Sequence, residues 1–291
     1  MSGAELEFEV REDPLTGTLV AITKSRQNRP NRPSSPCAFC VGGTEAPDPY
    51  EVKAFTNRWP SFPDDRCEVV LYSPDHDAQF ADLPAAHVRK VVDLWAERTE
   101  ILGARPDLAY VSIFENNGAD VGATVAHPHG QIYTYPHVPT VPSTVLARLA
   151  DGHVPLEDRP ELTVVERDGW RAWVPGAAVH PYSVRVAPLD RRPDLPSLDD
   201  AERDAFGSVL AESLRRVRGV FDPPMPYLMW IQQRPTDGGA WPAAWMHVEI
   251  VGPHRSPGVM RYVAGAELAS GEFLNPVVPE DAAARLRDVV A

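Results

Sequence analysis

The sequence predicts an α+β fold in which helices pack on an antiparallel sheet and one structural unit occurs twice. Apolar residues make up 43 % of the 291 positions, enough to bury a sizeable core. A strand, an amphipathic helix, a strand, a glycine-containing loop and another strand follow one another in each half. This repeated order predicts an N-terminal half over residues 1–150 and a C-terminal half over residues 151–291.

The N-terminal half begins with two strands and a turn over residues 7–22, because Pro14 and Gly17 interrupt the run. "AFTNRWPSF" predicts a loop, and "CEVVLYSPDHD" predicts a buried strand. A helix of about eighteen residues is expected after Pro84, where apolar residues recur at helical spacing. "LAYVSIFEN" predicts the next strand, and "NNGADVGAT" predicts a loop that leads to the strand "AHPHGQIY".

The C-terminal half repeats this order, beginning with the strand "YSVRVAPL". Its long helix is expected to open with a capping box at Ser197 and Asp200 and to end near Gly219. "YLMWIQQ" and "WMHVEIV" predict the two strands that follow, without a His-Pro-His sequence. "PEDAAARLRDVV" predicts a terminal helix, since proline and acidic residues favour a first turn.

The overall charge and the cysteine count bound the partners and the compartment. A net charge of −13 and an isoelectric point of about 5.1 exclude a nucleic-acid surface of any size. The N-terminus shows no secretory signal, and no apolar stretch approaches the ~18 residues of a membrane span. Three cysteines, a low and odd number, favour a reducing cytoplasm.

Cys37 and Cys40 form the sequence "CAFC", which is typical of either a redox pair or a metal site. Thioredoxin-like pairs stand at the head of a helix, whereas this pair lies in a proline-rich loop that suits a zinc knuckle better. Two thiolates need two more ligands, and histidines such as His76 and His127 must supply them because no second CxxC exists. Five other histidines and the third cysteine are expected to be packed or solvated residues: His87, His137, His153, His180, His254 and Cys67.

The His-Pro-His sequence suggests a nucleophile. His127 and His129 share a face if the segment is extended, so one imidazole can be anchored while the other faces a substrate. A neutral imidazole can attack phosphorus without a general base and form a labile N-linked intermediate. Gly130 would allow a phosphate to approach closely. Gln131 can donate its amide to a phosphoryl oxygen but cannot act as an acid, which favours a transferase over a hydrolase.

These segments resemble a known family. "FENNGADVGATVAHPHGQIY" closely resembles the active-site segment of the galactose-1-phosphate uridylyltransferases, a branch of the histidine-triad superfamily. The resemblance continues through "SRQNRP", "CAFC", "FTNRWPSF" and "SPDHDAQFADL", is weaker in "WMHVEIVGPHRS", and covers most of the chain. It implies a duplicated histidine-triad-like unit, the second copy being degenerate and contributing sugar contacts.

The resemblance also implies a mechanism and a set of site residues. His129 would take uridylyl from UDP-glucose and pass it to galactose 1-phosphate, Gln131 would stabilise the phosphoryl oxygens, and one structural zinc ion would be bound per chain. The implied zinc ligands are Cys37, Cys40, His76 and His127. The implied substrate contacts are Arg26, Arg29, Asn57, Asn116, Gly122, Thr124, Arg261, Tyr262 and Glu267. Arg26 and Arg29 match family arginines that reach the partner subunit's site, which implies a homodimer.

The sequence departs from the family pattern in the half that would contact the sugar. Some family members bind a second metal with one Glu and three His, but the matching positions here are Val145, Gln232, His247 and Glu249. We therefore expect no second metal. An aromatic residue expected in the hexose-contacting stretch is Ala266.

Two alternatives to galactose metabolism follow from these departures. One is a related transferase or phosphorylase that acts on another nucleotide sugar or sugar 1-phosphate. The other is a zinc-stabilised nucleotide-binding protein without catalysis, which the presence of both His129 and Gln131 disfavours.

Overall fold

The computed structural model describes residues 8–28 and 36–290. Its helices are α1 (Ala85–Gly103), α2 (Thr140–Ala150), α3 (Asp200–Arg218), α4 (Gly265–Ser270) and α5 (Pro279–Asp288). Its strands are β1 (Phe8–Glu12), β2 (Leu19–Thr23), β3 (Lys53–Thr56), β4 (Cys67–Leu71), β5 (Tyr110–Asn117), β6 (His129–Tyr135), β7 (Thr163–Arg167), β8 (Trp170–Trp173), β9 (Tyr182–Pro188), β10 (Tyr227–Gln232), β11 (His247–Gly252), β12 (His254–Ser256) and β13 (Val259–Met260). In these ranges no helix combines the length and apolarity needed to cross a bilayer.

One sheet of nine strands, in the order β3-β4-β6-β5-β10-β11-β9-β8-β7, forms the centre of the molecule. Neighbouring strands pair antiparallel throughout. Apart from the additional edge strand β7, the order is symmetric about the β5–β10 pair, with β6, β4 and β3 on one side matching β11, β9 and β8 on the other. The predicted α+β class with an antiparallel sheet is therefore confirmed, while the division at residue 150 stays a prediction.

The helices α1 and α3 cover one face of this sheet and contact each other. They approach closely at Gly207, where a Cβ atom would lie 2.8 Å from Val88 Cγ1. Trp95 of α1, Ile113 of β5 and Ile132 of β6 are fully buried in the core beneath them. Strand alternation turns the odd-numbered residues of β6, including His129, toward the opposite face, where they are only half-buried.

The structure corrects several local predictions. Asp199, not Ser197, caps α3: its carboxylate accepts the Glu202 N–H at 2.9 Å, and Glu202 accepts the Asp199 N–H at 3.0 Å. A 3₁₀ turn over Leu195–Ser197 shifts the helix start, and the Ser197 N–H donates instead to Asp194. The sequence predicted neither α2, β7 nor β8, and β3 ends within the stretch predicted to be a loop.

Candidate active site

Four side chains from three loops form a compact cluster. Cys37 and Cys40 lie in the loop before β3, His76 follows β4, and His127 precedes β6. Their candidate ligand atoms all lie within 4.8 Å of one another, and Cys40 Sγ is 3.4 Å from His76 Nδ1 and 3.7 Å from His127 Nδ1. Two sulfur and two nitrogen donors are the ligand set of a tetrahedral zinc site. Within residues 8–28 and 36–290, no other group of three such side chains has this spacing.

The backbone around the cysteines is shaped for this cluster. Gly43 donates its N–H to Cys40 O at 2.8 Å, which closes a tight turn after the pair. A Cβ atom at Gly43 would lie 2.5 Å from Ala38 O and 2.6 Å from Cys37 O, so only glycine fits.

His127 is fully buried and oriented by hydrogen bonds behind its ring. Its Nε2 lies 2.8 Å from Ser73 O, so this nitrogen carries the proton and Nδ1 keeps its lone pair toward Cys40. The Tyr50 hydroxyl lies 2.9 Å from the same Nε2 and donates to Phe39 O at 2.8 Å. Burial lowers the pKa of His127, which favours the neutral form that binds metals.

His129 lies at the start of β6 on the half-buried face. Its Nδ1 donates to His127 O at 2.7 Å, which leaves the lone pair of the ring on Nε2. The ring packs edge-on against Phe39, with centroids 5.2 Å apart. Gln131 is two residues further along β6 and shares this face. The structure therefore brings the predicted nucleophile, its glutamine and the four-residue cluster together at one end of β6.

Gly130 is required for a reason that the sequence did not reveal. A Cβ atom there would lie 2.0 Å from Tyr72 Oη, on the core-facing side of the strand. The prediction that Gly130 makes room for a phosphate concerns the other face and is untested.

Three of the four predicted nucleotide contacts, Asn116, Gly122 and Thr124, lie at the end of β5 or in the loop that follows it. Asn116 Nδ2 donates to Val121 O at 3.1 Å and so holds the loop that contains Gly122. Gly122 has a φ of +86°, which favours glycine. Thr124 follows in the same loop, three residues before His127. Asn57 follows β3, and its Oδ1 accepts the Trp59 N–H at 2.8 Å.

Arg26 and the C-terminal residues lie elsewhere. Arg26 Nη1 donates to Ser61 Oγ and, at 3.3 Å, to Tyr133 Oη on the face that bears His129. Arg29 lies outside the described residues. Tyr262 is 79 % exposed.

Arg261 and Glu267 form a buried ion pair with each other. The Glu267 carboxylate also accepts the N–H groups of Ala264 and Leu274 at 2.7 and 2.8 Å, so it stabilises α4 as a capping residue. Arg261 Nη1 is buried without a hydrogen-bond partner, beside a cavity of about 460 Å³ that Arg255 also lines.

The positions that match the second metal site of some relatives are also neighbours here. Val145, Gln232 and His247 line one small cavity. His247 Nε2 lies 3.8 Å from Glu249, whose carboxylate is paired with Arg185 at 2.7 Å. The arginine thus supplies a positive charge beside the carboxylate.

A histidine that donates from Nδ1 to a backbone carbonyl, followed two residues later by a glutamine on the same face of an antiparallel sheet, is an arrangement that suits a group-transfer enzyme. The chain belongs to the galactose-1-phosphate uridylyltransferase family. Residues 64–139 match the model "Galactose-1-phosphate uridyl transferase, N-terminal domain", and residues 143–291 match that of the C-terminal domain.

Relatives of known name agree with this family over nearly the whole chain. The galactose-1-phosphate uridylyltransferase of Streptomyces lividans is 38 % identical over 97 % of this chain and 87 % of its own. The galactose-1-phosphate uridylyltransferase of Thermotoga maritima is 32 % identical over 97 % of this chain and 98 % of its own. Among solved structures, a uridylyltransferase superposes with a TM-score of 0.86 at 28 % identity over 96 % of this chain and 97 % of its own. An ADP-glucose phosphorylase from Arabidopsis thaliana superposes with a TM-score of 0.78 at 25 % identity, over 97 % of this chain and 99 % of its own.

Proposed function

We propose that the protein exchanges UMP between UDP-glucose and galactose 1-phosphate by a ping-pong reaction. His129 Nε2 attacks the α-phosphorus of UDP-glucose, the bond to the bridging oxygen breaks, and glucose 1-phosphate leaves with the electron pair. A phosphate oxygen of galactose 1-phosphate then attacks the uridylyl-histidine, the P–N bond breaks, and UDP-galactose forms. The observation that carries this proposal is the Nδ1–H···O bond to His127, which leaves the lone pair of the His129 ring on Nε2.

Gln131 suits a transfer between two phosphates. A sugar phosphate leaves as a stable anion, so the departing oxygen needs no proton and an acid at this position has no task. The glutamine amide can donate to a non-bridging phosphoryl oxygen, whose negative charge persists through both steps.

Cys37, Cys40, His76 and His127 are the ligands of one structural zinc ion in this proposal. The cluster fits because its four donors lie within 4.8 Å and His127 presents Nδ1 to it. Zinc would keep the thiols ionised and join the N-terminal loops to the residue just before β6. Ligand thiols must stay reduced, which fits a cytoplasmic enzyme.

The substrate contacts are proposed around this centre. Asn57, Asn116, Gly122 and Thr124 would bind the nucleotide, because Asn116 lies on β5 beside the start of β6. Arg261, which lines the cavity, would contact the acceptor more directly than Glu267, whose oxygens hold backbone N–H groups. Tyr262 remains a proposed sugar contact.

The enzyme is proposed to be a homodimer in which Arg26 and Arg29 approach the partner's site. The β1–β2 hairpin is a two-stranded sheet apart from the central one. It exposes apolar side chains at an unusual density, as a surface for a second copy would: Val10, Leu15, Leu19, Val20 and Ile22.

A phosphorylase is the second candidate. The similarity to the ADP-glucose phosphorylase covers the whole chain, and Ala266 replaces an aromatic residue in the proposed sugar-contacting segment. In this case inorganic phosphate, not galactose 1-phosphate, would discharge the nucleotidyl-histidine.

The decisive experiment offers UDP-glucose alone, then ADP-glucose alone, and weighs the protein by mass spectrometry at neutral or alkaline pH. Wild type is expected to gain one uridylyl group on the peptide that contains His129. His129→Gly should gain none, whereas His153→Gly, at an exposed position, should label like wild type. Label that survives in His129→Gly would contradict the proposal. Discharge by galactose 1-phosphate or by phosphate then separates the two candidates.

A further inference from the structure

Tyr72 contacts the strand of His129 on both sides of that residue. Its backbone N–H donates to Pro128 O at 3.1 Å. Its hydroxyl oxygen lies 2.0 Å, and its Cζ 2.9 Å, from where a Cβ atom at Gly130 would be. Because residues 128 and 130 flank His129, the position of Tyr72 determines how far the backbone of His129 lies from the core.

The Tyr72 ring is fixed laterally by the core. It is fully buried and packs edge-on against Phe80 and Trp95, with centroids 5.5 and 5.7 Å away. Only the hydroxyl end, which faces Gly130, is left to be held by a polar group.

A buried carboxyl group stands at that hydroxyl end. Glu115 on β5 is 2 % exposed, and Phe114 before it pairs with Gln131 of β6. Tyr227 Oη donates to Glu115 Oε1 at 2.6 Å. Glu115 Oε2 and Tyr72 Oη are both buried without a hydrogen-bond partner, and burial, followed by the nearby Glu115 carboxyl, raises the pKa of Tyr72. These two atoms are therefore each other's available partner.

We propose that Glu115 is a positioning residue for His129, acting through Tyr72 on Gly130. This inference rests on the proposed function, in which His129 Nε2 must reach phosphorus. Reacting atoms must stand about 3–3.5 Å apart, and a misplacement of about 1 Å slows such reactions on the order of a hundredfold. A carboxyl that holds Tyr72 therefore controls the transfer step without touching the substrate.

The protonation state of Glu115 should also make the labelling rate depend on pH. Tyr72 and Tyr227 face it, and Arg218 at the end of α3 lowers its pKa but is itself paired with Asp82 at 3.2 Å. Burial outweighs these effects and raises the pKa of Glu115 to about 7. The neutral carboxyl can donate from Oε2 to Tyr72 Oη. The ionised one places a negative charge beneath the strand that receives an anionic phosphoryl group, so the neutral form is the working one.

The test measures the single-turnover rate at which UDP-glucose labels the full-length, zinc-containing enzyme. Glu115→Leu and Tyr72→Phe should slow labelling by about tenfold to a hundredfold, with an unchanged half-saturating UDP-glucose concentration. Glu115→Gln, which keeps a donor and an acceptor, should restore the rate at pH 7. Above pH 7 the wild-type rate should fall and that of Glu115→Gln should not. Glu68→Gln is the matched control. Glu68 lies on β4, which neighbours β6, and its buried carboxylate is paired with Arg98 of α1.

The outcomes separate this inference from the proposed function. Wild type that takes no label removes both. If wild type is labelled and Glu115→Leu and Tyr72→Phe are labelled equally fast, the positioning role alone is wrong. The same conclusion follows if the labelling rate of Glu115→Gln falls above pH 7 as that of wild type does. If Glu115→Leu fails to fold, Tyr72→Phe and Glu115→Gln decide.

Discussion

Two histidines that are two residues apart hold opposite tautomers. His129 donates from Nδ1 to His127 O and keeps its lone pair on Nε2. His127 donates from Nε2 to Ser73 O and keeps its lone pair on Nδ1, toward Cys40. A backbone carbonyl selects the reactive nitrogen in each ring, which suits one histidine to attack and the other to bind metal.

The Gly130 position provides a direct test of packing at the residue scale. Gly130→Ala would force a methyl group against Tyr72 Oη, and we expect it to lower the free energy of unfolding by about 1–3 kcal/mol. Adding Tyr72→Phe removes the nearest oxygen and should recover part of this loss in urea unfolding. Equal losses in the single and double variants would show that the glycine is needed for another reason.

Glu115 should give the protein a specific dependence of stability on pH. Its pKa is raised from 4.5 to about 7 by burial, so the folded protein binds this proton more tightly than the unfolded chain. The resulting stabilisation is complete below about pH 4.5 and is lost as the pH rises through about 7, a change on the order of 3 kcal/mol. Wild-type stability relative to Glu115→Gln should therefore fall between pH 5 and 7.5, and a constant difference would contradict the assignment.

At the scale of elements, the loop from residue 36 to β3 has its own small apolar cluster. Phe39 and Ala46 pack against Val69 and Leu71 of β4, which places the CxxC pair next to the start of β6. A metal at the four-residue cluster would join this loop to the loops after β4 and before β6. The strand that carries His129 would thus be anchored through His127, two residues before its first residue.

Removing one of the four proposed metal ligands should weaken metal binding and destabilise the loops that the metal joins. We expect about one zinc per wild-type chain by metal analysis, and Cys37→Ser should lower both the zinc content and the melting temperature. Cys67→Ser, at a buried thiol outside the cluster, is the matched control and should keep its zinc. Folded wild-type enzyme without bound metal would exclude the four-ligand site.

At the scale of the whole molecule, matching strands on the two sides of the sheet carry different side chains, and the candidate transfer site lies on one side. The chain pairs β5 with β10 at the centre, yet the candidate nucleophile occurs on β6 alone, and β11 carries His247 and Glu249 beside Arg185. Strand β11 therefore has the place in the sheet that matches β6, with different side chains at that place.

The hairpin β1–β2 predicts the oligomeric state. We expect light scattering to show a dimer of the 32.0 kDa chain, and Ile22→Asp should weaken it because Ile22 is 40 % exposed on this apolar hairpin. Val259→Asp, at a similarly exposed position of 39 %, should leave the dimer intact. A monomeric wild type at micromolar concentration would contradict the homodimer proposal.

Local patterns predicted most of the fold and the identity of the candidate site. The helical spacing of apolar residues defined α1, alternation and length defined β4, β5 and β10, and two short sequences, "CAFC" and "AHPHGQIY", contained the chemistry. Such patterns depend on residues close in sequence, so the chain alone determined them. The missed elements β7 and β8 are short strands, in which period-two alternation is weak.

Tertiary structure decided what lies next to what across long separations in sequence. It brought Tyr72 onto Gly130 and placed Glu115 and Tyr227 behind that contact. It paired Glu267 with Arg261 and with two backbone N–H groups, contacts that the sequence did not predict. These roles follow from burial and from which polar atoms find partners, and both are fixed only when distant segments pack together.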